Sequence, residues 1–337
     1  MDTEHPVDTQ HPYDSSRALA ARITKAASKQ TYYTVRYLVD RQRVSDAYRA
    51  YAYFRWVDDQ LDQEDIKKPQ RMAFVQRQKA LMEGCYQGDS PPQLADEERM
   101  LVDLIGRDRQ KDSGPLVYSG PLACSGLQAY IRNMMAVMAF DAERRGRLVS
   151  QAELVDYSRY LATAVTEALH YFIGHGQYSP RGEARYLAAT GAHIIHMLRD
   201  TTEDLRAGYF NIPAEYLEAH GISAWDVESA PYRAWVQGRV QLACSYFTAG
   251  RNYLSQVENL RCRLAGYAYI ARFEGVLEAI GAEDYRLRPD YAECKRKSSA
   301  LGMGWSMLTL ALGGRRQPAR GELLIPGGAW LPSENEL

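Results

Sequence analysis

Apolar residues recur every three or four positions in segment after segment from Arg17 onward, the period of an amphipathic helix. Convincing strand-like alternation is found nowhere. The pattern predicts helices at 17–28, 29–39, from a Ser45 cap to just past Asp62, 69–87 with Pro69 in its first turn, 93–109 and 122–145. Further helices run from the capping box Ser150-Gln-Ala-Glu153 to Ile173, from Ser179-Pro180 to Gly208, and over 214–220, 232–257 and 260–280. Segments 88–92 and 111–121 are rich in Gly and Pro and read as loops. The apolar segment 300–312 is long enough only for a buried or interfacial helix. About ten helices with no internal linker predict one all-α domain over 17–312, its helices around a central cavity. A disordered stretch, 1–16, precedes it and an irregular Gly/Pro-rich tail, 313–337, follows.

Two segments carry charge on a helical stripe. In the first, Tyr51, Arg55, Asp58 and Asp62 share one face. In the second, His193, His196, Asp200 and Asp204 do, with Arg199 beside them. A single Asp pair at i,i+4 is usually a solvated helix face. Two such pairs, each with an arginine and apolar neighbours, suit another purpose. Carboxylates one turn apart hold a hard divalent cation through oxygen, and arginine holds the phosphate that the cation neutralises.

The chain has 337 residues and a net charge of −1. No basic run marks a nucleic-acid surface. No apolar run approaches the length of a membrane span, and the polar N-terminus does not read as a signal peptide. Five scattered cysteines without a CxxC suggest reduced thiols in a cytosol, mostly as core filler. A cytoplasmic protein with at most peripheral membrane contact is expected. The methionines at 134, 135 and 138 read as core.

Both acidic stripes resemble the two aspartate-rich motifs of the squalene/phytoene synthase family of head-to-head prenyl diphosphate synthases, which includes squalene synthase-like members that prenylate aromatic compounds. Segment 28–40, Ser-Lys-Gln-Thr-Tyr-Tyr-Thr-Val-Arg-Tyr-Leu-Val-Asp, resembles the family's Ser-Phe-Tyr substrate segment. Segment 157–166, Tyr-Ser-Arg-Tyr-Leu-Ala-Thr-Ala-Val-Thr, resembles its Tyr-Cys-Tyr-Gly-Val-Ala-Gly-Thr-Val-Gly segment. The resemblance implies the class I isoprenoid synthase fold and transfer of a prenyl cation from an allylic prenyl diphosphate. It implies two or three Mg2+ ions on Asp58, Asp62, Asp200 and Asp204. It places Arg55 and Arg199 on the diphosphate, joined by Arg288 (or Arg286), and Tyr51 and Tyr157 beside the reacting chain. Lys29, Thr31, Tyr32, Ala162, Val165, Thr166, His193, His196 and Phe273 would line the substrate. NADPH use is open, since the family binds it without a dinucleotide fingerprint and none is present.

The chain departs from that pattern on its inner face. His193 and His196 stand where the family has Gln and Asn, Thr163 and Thr166 replace small glycines, and Lys29 stands where a serine is usual. The acceptor is therefore a second prenyl diphosphate by resemblance, or a non-isoprenoid aromatic compound if the reaction has drifted. Rival readings are a non-catalytic helical relative, a cyclase working on one chain, and a di-iron bundle built on Glu167-x-x-His170, for which no second copy is present. Asp141, where the family often has an acidic residue, reads on its own as surface.

Overall fold

The computed structural model describes residues 12–89, 93–110 and 124–291. The expectations for 1–11, 111–121, 300–312 and 313–337, and for Cys294, lie outside these residues. The described chain forms α1 (Pro12–Ala27), α2 (Lys29–Leu38), a 3-10 turn at Arg41–Arg43, α3 (Val44–Leu61), α4 (Lys68–Gln87) and α5 (Asp96–Gln110). Then come α6 (Gly126–Arg144), α7 (Gln151–Phe172), α8 (Ala184–Ala207), α9 (Ala214–His220), α10 (Ala230–Ser255) and α11 (Leu260–Ala282). Among the described residues there is no strand, only one isolated bridge between Val149 and Pro213.

Local signals explain most boundaries. Ser150 accepts from the Glu153 amide and Glu153 accepts from the Ser150 amide, the reciprocal capping box that the spacing predicts. Gly88, Gly208 and Gly221 close α4, α8 and α9 in the left-handed region. Several boundaries differ from expectation, among them α5, which begins at Asp96 rather than 93, and α6, which begins at Gly126 after its Ser125 cap rather than at 122. Helix α1 begins at Pro12, so residues 12–16 are helical; the buried Ser16 hydroxyl ties this end to Asp103 and Arg49. Helix α3 begins at Val44 out of the 3-10 turn, with no side-chain cap at its start. Helix α8 begins at Ala184, four residues after Pro180, because Gly182 takes a positive φ and the Ser179 hydroxyl is bonded to Arg185 instead of capping.

Helix α8 is the central element. It packs along α10 and α7, with α11 against a further side; α6 pairs with α7, and α1 and α5 cover α3. Its close approach to α10 needs small residues. A Cβ on Gly250 would stand 2.6 Å from Ala188 Cβ and 2.9 Å from its Cα. The methionines Met135 and Met138 lie in the core as expected. Cys85 and Cys262 are buried thiols, while Cys244 is exposed.

The loops after α6 and α8 are joined edge to edge. Gly146 donates its amide to Gly208 at 2.8 Å, and Ala214 donates to Val149 at 2.8 Å. Arg145, which follows α6, donates to the carbonyls of Ala207 (3.0 Å) and Leu61 (3.2 Å). The C-terminal ends of α3, α6 and α8 are thereby held together.

Two glycines on α10 should respond in opposite ways. Gly250→Ala must push α8 and α10 apart and should cost about 1–3 kcal/mol. A methyl group on the Gly238 Cα would meet nothing within 4 Å. Gly238→Ala should therefore gain up to about 1 kcal/mol, through helix propensity alone. Thermal unfolding of the two variants checks this; a Gly250→Ala protein as stable as the parent would contradict the close packing.

Candidate active site

The three joined helix ends bring their acidic residues into one cleft of about 180 Å3. From α3 come Asp58 and its C-cap Asp62; from α8, Asp200 and Asp204; from α6, Asp141 and Arg144. Tyr157 of α7, His193, His196, Tyr209 and Asn211 complete the wall. Both acidic stripes read from the sequence thus face the same space. Each helix also points the negative end of its dipole there, so the cleft concentrates negative potential.

The carboxyl groups answer to that crowding in different ways. Burial, then Asp62 and Asp141, pushes Asp58 up to about 7 against the pull of Arg55. Burial, then Asp200, pushes Asp204 up to about 7 although Asn211 donates to it at 2.6 Å. Burial opposes the charge of Asp200 too. There Arg199, bonded through both carboxylate oxygens at 2.6 Å, and His196 at 2.9 Å prevail and hold it well below the usual range. Asp62 accepts from Tyr209 at 3.1 Å.

Asp141 is not a surface residue. Burial raises its carboxyl, and it accepts from Arg144 at 2.7 Å and from Tyr157 at 3.0 Å. The buried Arg144 also donates to Asn211 at 2.8 Å and lies over the rings of Tyr157 (4.7 Å) and Tyr209 (4.8 Å). Sequence reasoning missed Arg144, Tyr209 and Asn211 as functional. Asn211 follows α8 by only a few residues, and that short return brings its amide to Asp204.

Two histidines predicted for the stripe behave differently. His196 is half exposed and bonded to Asp200, with the Phe273 ring 6.2 Å away. His193 is buried with both ring nitrogens unpartnered. An unmade buried donor or acceptor costs about 1–3 kcal/mol each.

Further cations surround the cleft mouth. Arg55 is partly exposed and paired with Asp58 at 3.3 Å and with Asp59. Tyr51 stands near enough to influence both Arg55 and Arg272. Arg272 of α11, missed in the sequence, is depressed by burial and then by the charge of Arg199. Arg239 of α10 is depressed by burial, and among the described residues no carboxylate pairs with it.

Other expected residues lie apart from this cleft. Lys29 is exposed and Thr31 bonds the Ser28 cap of α2, while Tyr32 stacks on Tyr48 at 5.3 Å. Ala162, Val165 and Thr166 are on α7 but do not line it; Ala162 and Thr166 are buried, like Thr163. Arg288 pairs with Glu283 in the turn after α11. Glu167 and His170 border a second cavity of about 690 Å3 at the opposite end of α7. Glu167 accepts from Arg185 (2.8 Å) and Tyr186 (3.0 Å). His170 meets Tyr253 and Cys262, and burial lowers its pKa to about 3.

An all-carboxylate donor set fits a hard cation such as Mg2+. Among the described residues no three His, Cys, Asp or Glu side chains gather tightly enough to hold one ion, so oxygens of the substrate or of water would have to complete each coordination shell. No described helix is long and apolar enough to cross a membrane.

Comparison with known proteins identifies the family and the fold. The squalene/phytoene synthase family model matches residues 24–298. A presqualene diphosphate synthase of Rhodopseudomonas palustris is 25% identical over 196 residues, 58% of this chain and 62% of that protein, so the chain spans less than two thirds of this relative's length. The fold is shared with the crystal structure of squalene synthase HpnC from Alicyclobacillus acidocaldarius, at TM-score 0.63 and 20% identity over 83% of this chain and 98% of the other. It is also shared with a ligand complex of TcSQS, at TM-score 0.60 and 14% identity over 91% and 94% of the two chains. With matched residues that include both acidic stripes and the helices that join them, the chain belongs to the squalene/phytoene synthase family, prenyltransferases on the class I isoprenoid synthase fold.

Proposed function

We propose that this protein is a Mg2+-dependent prenyltransferase that ionises an allylic prenyl diphosphate and passes the prenyl cation to a second prenyl diphosphate. The observation that carries this reading is the convergence of two acidic helix ends, with Asp58 and Asp204 both raised to about 7 by burial and neighbouring carboxylates. Such crowding is relieved by divalent cations. Asp58, Asp62, Asp200 and Asp204 would hold them, and they would supply neutralisation of the diphosphate leaving group.

The protein's own groups account for the rest. Arg55, Arg199 and Arg272 are placed to share the charge of a departing diphosphate. The charge of Arg199 already acts on Arg272, so a polyanion near both would be favoured, and Arg239 adds a further cation. Tyr157 is fixed by its bond to Asp141, so its ring face, backed by Arg144, is held in one orientation beside the cleft. Arg144 and Asn211 hold Asp141 and Asp204 in place. The relative's name, presqualene diphosphate synthase, supports a prenyl diphosphate as acceptor. A non-isoprenoid aromatic acceptor is the second reading, favoured by the unpartnered His193 and the buried Thr163 and Thr166.

Diphosphate release with Mg2+ and C5, C10, C15 and C20 prenyl diphosphates, with product masses read, tests the reading. A product of twice the donor length is expected. Prenyl alcohol alone, converted to a coupled product by an added phenol, would favour the second reading, and no release from any donor would overturn both. Asp58→Asn and Asp204→Asn should each lower release by about 10²-fold or more; near-parental rates would remove these carboxylates from the metal site.

The pH dependence follows from the raised carboxyls. Asp58 and Asp204 keep their protons in the folded protein at pH values where the unfolded chain has lost them. They contribute stability at low pH that is lost as pH rises through about 7. Metal must displace those protons, so Mg2+ with inorganic diphosphate should raise Tm more at about pH 8 than at about pH 6. Equal shifts at both would contradict the assignment.

A further inference from the structure

His193 stands one turn before His196 on α8, in the wall of the acidic cleft. It is 4% exposed, and neither Nδ1 nor Nε2 has a hydrogen-bond partner. Its ring meets the Tyr157 ring edge-on at 5.0 Å. The partly buried imidazole of His170, by contrast, is satisfied through Tyr253 and Cys262. The carboxylates of the cleft are all engaged. Asp58 is paired with Arg55, Asp62 with Tyr209, Asp141 with Arg144 and Tyr157, Asp200 with Arg199 and His196, and Asp204 with Asn211. His193 therefore contributes a nitrogen lone pair that nothing else uses.

We propose that His193 is the proton acceptor of the transfer, the side chain that takes the proton given up by the acceptor molecule as the new carbon–carbon bond forms. This rests on the prenyl-transfer reading. The C1–O bond of the donor breaks and its electron pair leaves with the diphosphate. The π electrons of the acceptor form the bond to C1. The cation left on the acceptor loses a proton from an adjacent carbon to the unprotonated ring nitrogen of His193. The freed C–H electron pair closes a double bond or a three-membered ring. The released diphosphate, an anion in the same cleft, then takes the proton from the imidazolium.

The surroundings suit that role. Burial, then His196, Arg144 of α6 and Arg239 of α10, disfavours the charged ring. The imidazole is thus neutral before the reaction and does not repel the incoming cation. A carbocation is so strong an acid that a weak base suffices. The requirement is a lone pair where water is kept away, and the burial of His193 meets it.

The test uses the wild type, His193→Gln and His193→Ala with Mg2+ and labelled C10, C15 and C20 allylic diphosphates, scoring diphosphate release and the ratio of coupled product to prenyl alcohol. In both variants that ratio should fall by about 10²-fold or more relative to any fall in release, and added imidazole should restore it partly in His193→Ala. Release and coupling that fall in parallel, or an unchanged ratio, overturn the proposal. Circular dichroism of each variant reports folding. In the wild type, binding of a non-ionising thio-analogue of the donor should shift the His193 ring-nitrogen NMR signals, and no shift overturns the proposal independently of turnover. A wild type that couples its donor while the variants do so equally well sinks this proposal alone. A wild type that releases no diphosphate sinks the prenyl-transfer reading with it.

Discussion

The buried guanidinium of Arg144 is the contact on which the site depends. Five carboxylates and three helix C-terminal ends meet in one small cleft, a combination that repels itself. Arg144 offsets part of that charge from within, through Asp141 directly and through Asn211 to Asp204. Its flat faces are covered by Tyr157 and Tyr209, whose hydroxyls in turn donate to Asp141 and Asp62. One arginine thus sets the geometry of residues from α3, α6, α7 and α8. Arg145 beside it binds the backbone ends of α3 and α8, so the two consecutive arginines restrain side chains and main chain respectively.

The compensation is incomplete. A single internal cation leaves Asp58 and Asp204 reluctant to ionise, and such a site gains free energy from any cation that enters with its own charge. Nearby, Arg272 and Arg239 are half-buried cations that burial disfavours, Arg272 beside the already paired Arg199 and Arg239 with no carboxylate partner among the described residues. A metal-bound diphosphate carries both kinds of charge and would relieve both excesses at once.

Polar groups at the two ends of α7 make the contrast plain. Glu167 is buried and His170 partly so, and each is matched by partners within the protein. They hold α7 to α8 and α10. In the cleft, His193 has no such match.

The helical architecture was legible because the apolar period of 3.6 persists through nearly every segment, and caps such as Ser150 and Gly208 act within one turn of their own position. The acidic stripes were legible for the same reason: Asp58 with Asp62, and Asp200 with Asp204, are neighbours along a single helix, so spacing alone places them on one face. Asp141, Arg144, Tyr209 and Asn211 were not. Each is one polar residue on a separate segment, and only the packing of α6 and α8 and the joining of their loops brings them together. Lys29, Tyr32 and Arg288, suggested by resemblance, are not among the residues lining the acidic cleft: Lys29 is exposed on α2, Tyr32 stacks on Tyr48 and Arg288 pairs with Glu283. By itself the sequence determined what can be decided within a helical turn, namely the helices, their ends and the two carboxylate pairs. The tertiary structure decided which of those faces meet, which charges are buried and which stay unmatched, because desolvation and through-space Coulomb energy depend on distances that no linear spacing encodes.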